Sequence, residues 1–268
     1  MDGISKPIPV ALSSASVFPG TTYDAFRIAS DLGYDAIEIM VGQDPVSQSP
    51  QQWLGLSERF GVKVTSVHAP VLLVTQSVWG TDGWEKVRRT VAAAEEVGAG
   101  VVVLHPPFRW QVEYARRFEE GVKEEQRHTQ ALIAVENMFP WGPVRGYAPS
   151  DDIRKINVDN VVIDLSHTAA SGINPLELLD DVGDRLAHVH FADGSGAVRD
   201  EHLLPGQGNQ PVEEFLERLV QTRFPGSVVI EVSTRAATTF EERREQLKHA
   251  LDFTRNGLEK AYQRIDRV

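Results

Sequence analysis

One pattern recurs eight times along this chain and limits its fold more than any other feature. A short apolar run gives way to a polar or small-residue loop, and then to a stretch with helical periodicity. The runs lie at 8–12, 36–40, 62–67, 101–104, 131–135, 161–163, 186–189 and 227–230. They have strand length and are rich in β-branched residues, as expected of strands buried on both faces. Helical patterns follow at about 22–32, 50–60, 82–97, 111–128, 150–156, 175–181, 212–221 and 239–262, with Gly33, Gly61 and Gly98 placed as C-caps. Eight such units in 268 residues, with no linker-like shift in composition, predict a single α/β domain over 1–268, a (β/α)₈ barrel of parallel strands. The alternative is a doubly wound open sheet. That fold calls for a glycine-rich dinucleotide loop after its first strand, where Ser13, Ser14, Ala15 and Ser16 stand instead.

Six of the runs end on a residue that a buried strand does not ordinarily carry: His68, His105, Glu136, Asp164, His190 and Glu231. Pleating puts His68 on the inward face with Ser66 and Val64, Glu136 with Ala134, and Glu231 with Val229. In a barrel these strand ends converge on the C-terminal mouth, where active sites lie. A lone histidine at a strand end is more often a hydrogen-bonded core or rim residue, so the weight rests on the set. Several buried charges in one mouth are prohibitive unless something pairs with them. A divalent metal accepts both imidazole and carboxylate, so a metal site is predicted at the mouth. His167 follows Asp164 by three residues, and the loop after the seventh run adds Asp200 and His202, which together make a second ligand cluster plausible. His188 is expected one layer deeper than His190, packing or supporting it, while His128 and His249 lie on polar helical stretches facing solvent.

The net charge of −11 argues against broad adhesion to nucleic acid or anionic membrane. With no cysteine there is no disulfide, no thiolate zinc site and no cysteine nucleophile. The N-terminal stretch MDGISKPIPVALSS lacks the basic and long apolar regions of a signal peptide, and no run is long enough to span a bilayer. A cytoplasmic protein without a membrane partner is the expectation. Arg109 in the fourth loop and Arg145 in the fifth are candidates for holding a substrate's phosphate or carboxylate, or rim residues with their charge in water, and Trp110 beside Arg109 is a substrate-binding candidate that could line a sugar face. The loops VLLVTQSVWG (71–80) and PPFRWQ (106–111) look like walls of a small-molecule pocket, and Phe108, Trp110, Phe139 and Trp141 like loop packing.

The segments SVHAP (66–70), VLHPP (103–107), VEN (135–137), DLSH (164–167), HVHFADG (188–194), DEHLLPGQG (200–208) and IEV (230–232) resemble, in order and spacing, the xylose isomerase-like barrel superfamily. This superfamily holds sugar isomerases, sugar epimerases and endonuclease IV-type AP endonucleases. In its isomerase and epimerase branch, the resemblance implies one Mn²⁺, Mg²⁺ or Co²⁺ held by Glu136, Asp164, His190 and Glu231. It further implies that Glu136 and Glu231 move a substrate proton through an enediolate, that His167 holds substrate oxygens, and that the substrate is a small sugar, sugar phosphate or sugar acid. The endonuclease branch implies instead up to three zinc ions on His68, His105, Glu136, Asp164, His167, His190, Asp200, His202 and Glu231, with nucleic acid as the partner. Asn137–Trp141 departs from the endonuclease continuation after Glu136, which favours the isomerase branch. Homo-oligomers are common in that branch.

Overall fold

The eight apolar runs become eight parallel strands that close into a barrel in chain order. They are β1 (Val10–Ser13), β2 (Ala36–Met40), β3 (Lys63–His68), β4 (Val101–Leu104), β5 (Leu132–Glu136), β6 (Asn160–Asp164), β7 (Leu186–Phe191) and β8 (Val228–Ile230). The barrel, seen in a computed structural model, is described over residues 7–70, 75, 77–141 and 145–265. The first six residues, and most of the stretch 71–76, lie outside that description, so the expectations for the N-terminus and for the loop 71–80 are only partly covered.

The expected alternation holds. Ala11, Ala36 and Val229 pack together inside the barrel, as do Val103, Ala134, Val162 and Ala187. The outward residues, among them Leu12, Ile37, Val67, Val102 and Ile163, join the helices in the main core. Small inward side chains low in the barrel leave its upper end to the polar groups of the mouth.

The helices are α1 (Thr22–Leu32), α2 (Pro50–Phe60), α3 (Gly83–Val97), α4 (Val112–Arg116), α5 (Phe118–Gln126), α6 (Leu165–Ser171), α7 (Pro175–Val182), α8 (Val212–Gln221) and α9 (Phe240–Ile265). Thr21 closes a capping box on α1, and Gly33, Gly61 and Gly98 end α1, α2 and α3 in the left-handed conformation. Three segments differ from expectation. The helix predicted over 111–128 breaks at Arg117, where the backbone turns so that Tyr114 and Phe118 both pack on Trp84. The helix predicted over 150–156 is only a 3₁₀ turn, Ile153–Lys155, because the side chains of Ser150 and Asp152 bond the N–H groups of Asp152 and Arg154 and compete with a helix. In its place α6 follows β6 directly, through residues that read as a loop. Asp164 is its N-cap, accepting from the His167 N–H at 2.8 Å, and Gly172 closes it.

No helix among the described residues is long and apolar enough to cross a membrane.

Candidate active site

The site is built at the ends of β5 to β8. Three carboxylates and one imidazole, from four consecutive strands, meet around His190 Nδ1. Glu136 Oε1 lies 3.0 Å from it, Glu231 Oε2 3.2 Å and Asp164 Oδ2 3.8 Å. All four residues are buried. Asn137 fixes part of this geometry: its side chain accepts from the Asp164 N–H at 2.7 Å and donates to the Asp164 carbonyl at 3.2 Å, tying the end of β6 to β5. Asp164 spends Oδ1 on capping α6, so Oδ2 is left facing the mouth.

Neither Asp164 Oδ2 nor Glu231 Oε2 has a hydrogen-bond partner among the described residues, although both are buried. Orphaned carboxylate oxygens are costly unless a cation meets them. The set fits a divalent ion. Bonds of about 2.1 Å place neighbouring ligand atoms roughly 3 Å apart, and a three-oxygen, one-nitrogen donor set suits magnesium, manganese, cobalt or zinc.

The surrounding histidines are oriented by backbone carbonyls. His68 Nδ1 donates to Ala69 O at 3.0 Å, His167 Nδ1 to Asn137 O at 2.8 Å and His202 Nδ1 to Glu231 O at 2.7 Å. A carbonyl can only accept, so each ring carries a proton on Nδ1 and turns Nε2 toward the site. His68 Nε2 and His105 Nε2 reach Glu136 Oε2 at 3.2 and 2.9 Å. His167 Nε2 and His202 Nε2 reach Asp200 Oδ2 at 3.5 and 2.8 Å. All nine residues proposed from the sequence as ligands are therefore gathered, in one central group and two flanking ones.

His190 is turned the other way round. Its Nε2 points down the barrel to Glu38 Oε1, 3.0 Å away, and the other oxygen of Glu38 meets His188 Nε2 at 2.8 Å. Glu38 is fully buried and went unnoticed in the sequence. The signal was there: in β2 it sits between Ile37 and Ile39, on the inward face with Ala36, where a carboxylate needs a partner. His188, expected to support His190, does so through this shared carboxylate.

The electrostatics follow from these pairs. Burial opposes charge on Glu136, but His190 and His105 outweigh it and hold the carboxyl well below the ordinary range. Glu231 goes the other way: its burial dominates and its pKa is raised. Burial would lower the pKa of His167, yet Asp164 and Asp200 raise it to about 10. His105, with burial dominant, falls to about 4.

A cavity of about 280 Å³ stands over these groups, bounded by Met40, Met138, Phe139, Tyr147, Thr234 and Arg235 as well as by the acids and histidines. Arg109 and Trp110 do not line it. Arg109 donates to Tyr147 O, and Trp110, half exposed, stacks on Phe108. Trp110 and Gln111 border a neighbouring cavity of about 170 Å³ that meets the first at His105. Arg145 pairs with Asp151 at 3.6 Å. Phe108, Phe139 and Trp141 pack as a loop cluster with Met138 and Tyr147. His128 and His249 are exposed, as expected.

The loop carrying Asp200 and His202 has its own anchor. Asp193 accepts four backbone N–H bonds, from Gly194 and Gln210 on Oδ1 and from Gly206 and Gly208 on Oδ2. Ser166 then donates to Asp200 at 2.6 Å and accepts from the His202 N–H at 2.8 Å.

Residues 26–257 match the family described as xylose isomerase-like TIM barrel. The chain belongs to that family. Within this barrel family it is 43% identical to an uncharacterised protein of Mycobacterium leprae (strain TN), over 94% of this chain and 98% of that one. A fructoselysine 3-epimerase of Shigella flexneri is 24% identical, over 78% of this chain and 84% of that protein. The solved structure of a D-tagatose 3-epimerase-like protein superposes with a TM-score of 0.66 at 22% identity, covering 93% of this chain and 99% of that one, a likeness of fold.

Proposed function

We propose that this protein is a divalent-metal-dependent isomerase or epimerase of a small carbohydrate, moving a proton on the carbon beside a carbonyl group. The observation that carries this reading is the meeting of Glu136, Asp164 and Glu231 around His190 Nδ1. The epimerase names among its relatives and structural neighbours support it. Glu136, Asp164, His190 and Glu231 would hold the metal, which supplies Lewis-acid polarisation of the substrate's carbonyl and hydroxyl oxygens.

The chain's own groups do the rest. Glu136 and Glu231 stand on strands three apart around the barrel, so they approach a bound sugar from different sides. One removes the proton from the substrate carbon and leaves an enediolate; the other returns a proton to the opposite face or the adjacent carbon. His105 Nε2, 2.9 Å from Glu136 Oε2, donates to that carboxylate and keeps it ionised and aimed. His167 lines the cavity with Nε2 turned inward, placed to bond a substrate hydroxyl. Met138 and Phe139 supply an apolar wall.

The experiment is solvent-proton exchange. Metal-loaded protein in D₂O should wash deuterium into a ketose or aldose at the carbon beside the carbonyl, and Glu136→Gln should slow this at least about 100-fold when metal is kept saturating. Absence of exchange across ketoses, aldoses and inositol-type substrates counts against the reading.

A second reading draws on the two flanking groups. His68 and His105 with Glu136, and His167 and His202 with Asp164, are donor sets of the kind that hold zinc, with Asp200 Oδ2 a further 2.8 Å neighbour of His202 Nε2. A multinuclear zinc centre of this form supports phosphodiester hydrolysis at abasic sites in DNA. Nicking of an abasic duplex by zinc-loaded protein, lost in His202→Ala, would establish it; no nicking removes it.

A further inference from the structure

Charge is divided across the cavity. Its floor carries Glu136, Asp200 and Glu231, and among the described residues lining it Arg235 is the one lysine or arginine. An arginine beside so many carboxylates would ordinarily fold onto one of them. Arg235 makes no ion pair among the described residues. Two of the acids lining the cavity are already engaged: Glu201 accepts from the N–H and hydroxyl of Ser195 at 2.8 and 2.6 Å, and Asp200 from Ser166 and His202.

Arg235 lies instead over the ring of Phe18, with its guanidinium carbon 4.9 Å from the centroid. Stacking occupies a face of the guanidinium and leaves its N–H edge to take a planar or tetrahedral anion. The loop beneath is fixed. Thr234 is buried, donates its hydroxyl to Ser16 O and accepts from Arg243 Nε, while the Ser233 N–H bonds His202 O. Arg235 is thus carried four residues beyond Glu231, on the same anchored segment.

We propose that Arg235 binds an anionic group on the substrate, a phosphate ester or a carboxylate, so that this site takes acidic sugars in preference to neutral ones. The inference rests on the carbohydrate reading above. The reacting carbonyl end lies toward Glu136 and Glu231, and the anionic end lies at Arg235, where its charge meets a fork of donors.

The test uses the full-length, metal-loaded protein with three matched probes: D-fructose, D-fructose 6-phosphate and D-fructuronate. Deuterium exchange and calorimetric binding are measured for wild type, Arg235→Gln and Arg235→Lys, with circular dichroism to confirm folding of these exposed-site variants. One of the two anionic probes should show a KM or Kd at least tenfold below that of D-fructose, and which one does so separates phosphate from carboxylate. Arg235→Gln should raise that constant at least tenfold with a much smaller change in kcat, and Arg235→Lys should restore part of the loss. Equal weakening of neutral and anionic probes, or none, overturns the proposal. Arg235-dependent anion binding without any exchange keeps the anion site and removes the isomerase reading. Exchange without any Arg235 dependence does the reverse, and neither binding nor exchange removes both.

Discussion

Replacing Glu38 by glutamine tests the least conspicuous part of the site. Glu38 is 0% exposed, 2.8 Å from His188 Nε2 and 3.0 Å from His190 Nε2. Nδ1 of the same His190 ring faces Glu136, Asp164 and Glu231, so a metal bound there requires the ring's proton on Nε2, toward Glu38. A carboxylate only accepts; it holds the proton on Nε2 and frees the Nδ1 lone pair for a metal. An amide keeps the volume but can turn a donor toward the ring, which drives the proton to the wrong nitrogen. Loss of such a supporting partner costs about 10- to 100-fold in metal affinity, or roughly 1.4–2.7 kcal/mol. Glu38→Ala should go further and destabilise the fold by about 3–5 kcal/mol, because it strands buried imidazoles beside a void. Chelator competition gives the metal affinity, and long-range ¹H–¹⁵N imidazole spectra give the tautomer. A Glu38→Gln protein with wild-type metal affinity and an unchanged His190 tautomer would refute the reasoning.

Other outcomes follow from the same contacts. Asp193→Ala leaves four backbone N–H groups of the 193–210 loop without their acceptor; denaturant unfolding should show a loss of at least about 3 kcal/mol, with faster proteolysis inside the loop. Gly208→Ala should cost about 1–3 kcal/mol by overpacking, since a Cβ there would sit 2.2 Å from Asp193 Oδ1 and 2.4 Å from the Gly194 carbonyl. Asp152 has its pKa lowered, because hydrogen bonds from Arg154 outweigh the opposing effect of burial. A depressed folded-state pKa stabilises above the unfolded value near 4 and is lost as pH falls through the folded one. The stability gap between wild type and Asp152→Asn should therefore be constant above about pH 5 and shrink below pH 4; a gap unchanged down to pH 3 would contradict the pairing.

The barrel was legible because its strands are buried on both faces and so leave a continuous apolar signature, and because Gly33, Gly61 and Gly98 mark helix ends by a backbone conformation that favours glycine. The candidate ligands were legible for a related reason: His68, His105, Glu136, Asp164 and His190 each end an apolar run, where a charge stands out. Glu38 did not stand out, because it lies inside a strand, and its meaning depends on a histidine 150 positions later. Arg235 is one exposed arginine among many until the barrel closes and brings Phe18 beneath it. The helix α6 was hidden because Asp164 was read only as a candidate ligand, and it also caps a helix. At 150–156, side-chain oxygens of Ser150 and Asp152 take backbone donors that a helix would need, a competition that periodicity does not register.

The claim on which the account depends is that Glu136, Asp164, His190 and Glu231 form a divalent-metal centre, and metal content tests it without knowledge of the substrate. Protein stripped with chelator, reloaded with Mn²⁺ or Zn²⁺ and examined by native mass spectrometry should carry stoichiometric metal, and Asp164→Asn should bind it at least about tenfold more weakly. One ion per chain is the isomerase result, and three zinc ions would favour the hydrolase reading. A folded wild-type chain that takes up no stoichiometric metal, or an Asp164→Asn chain that binds as tightly as wild type, would contradict the account.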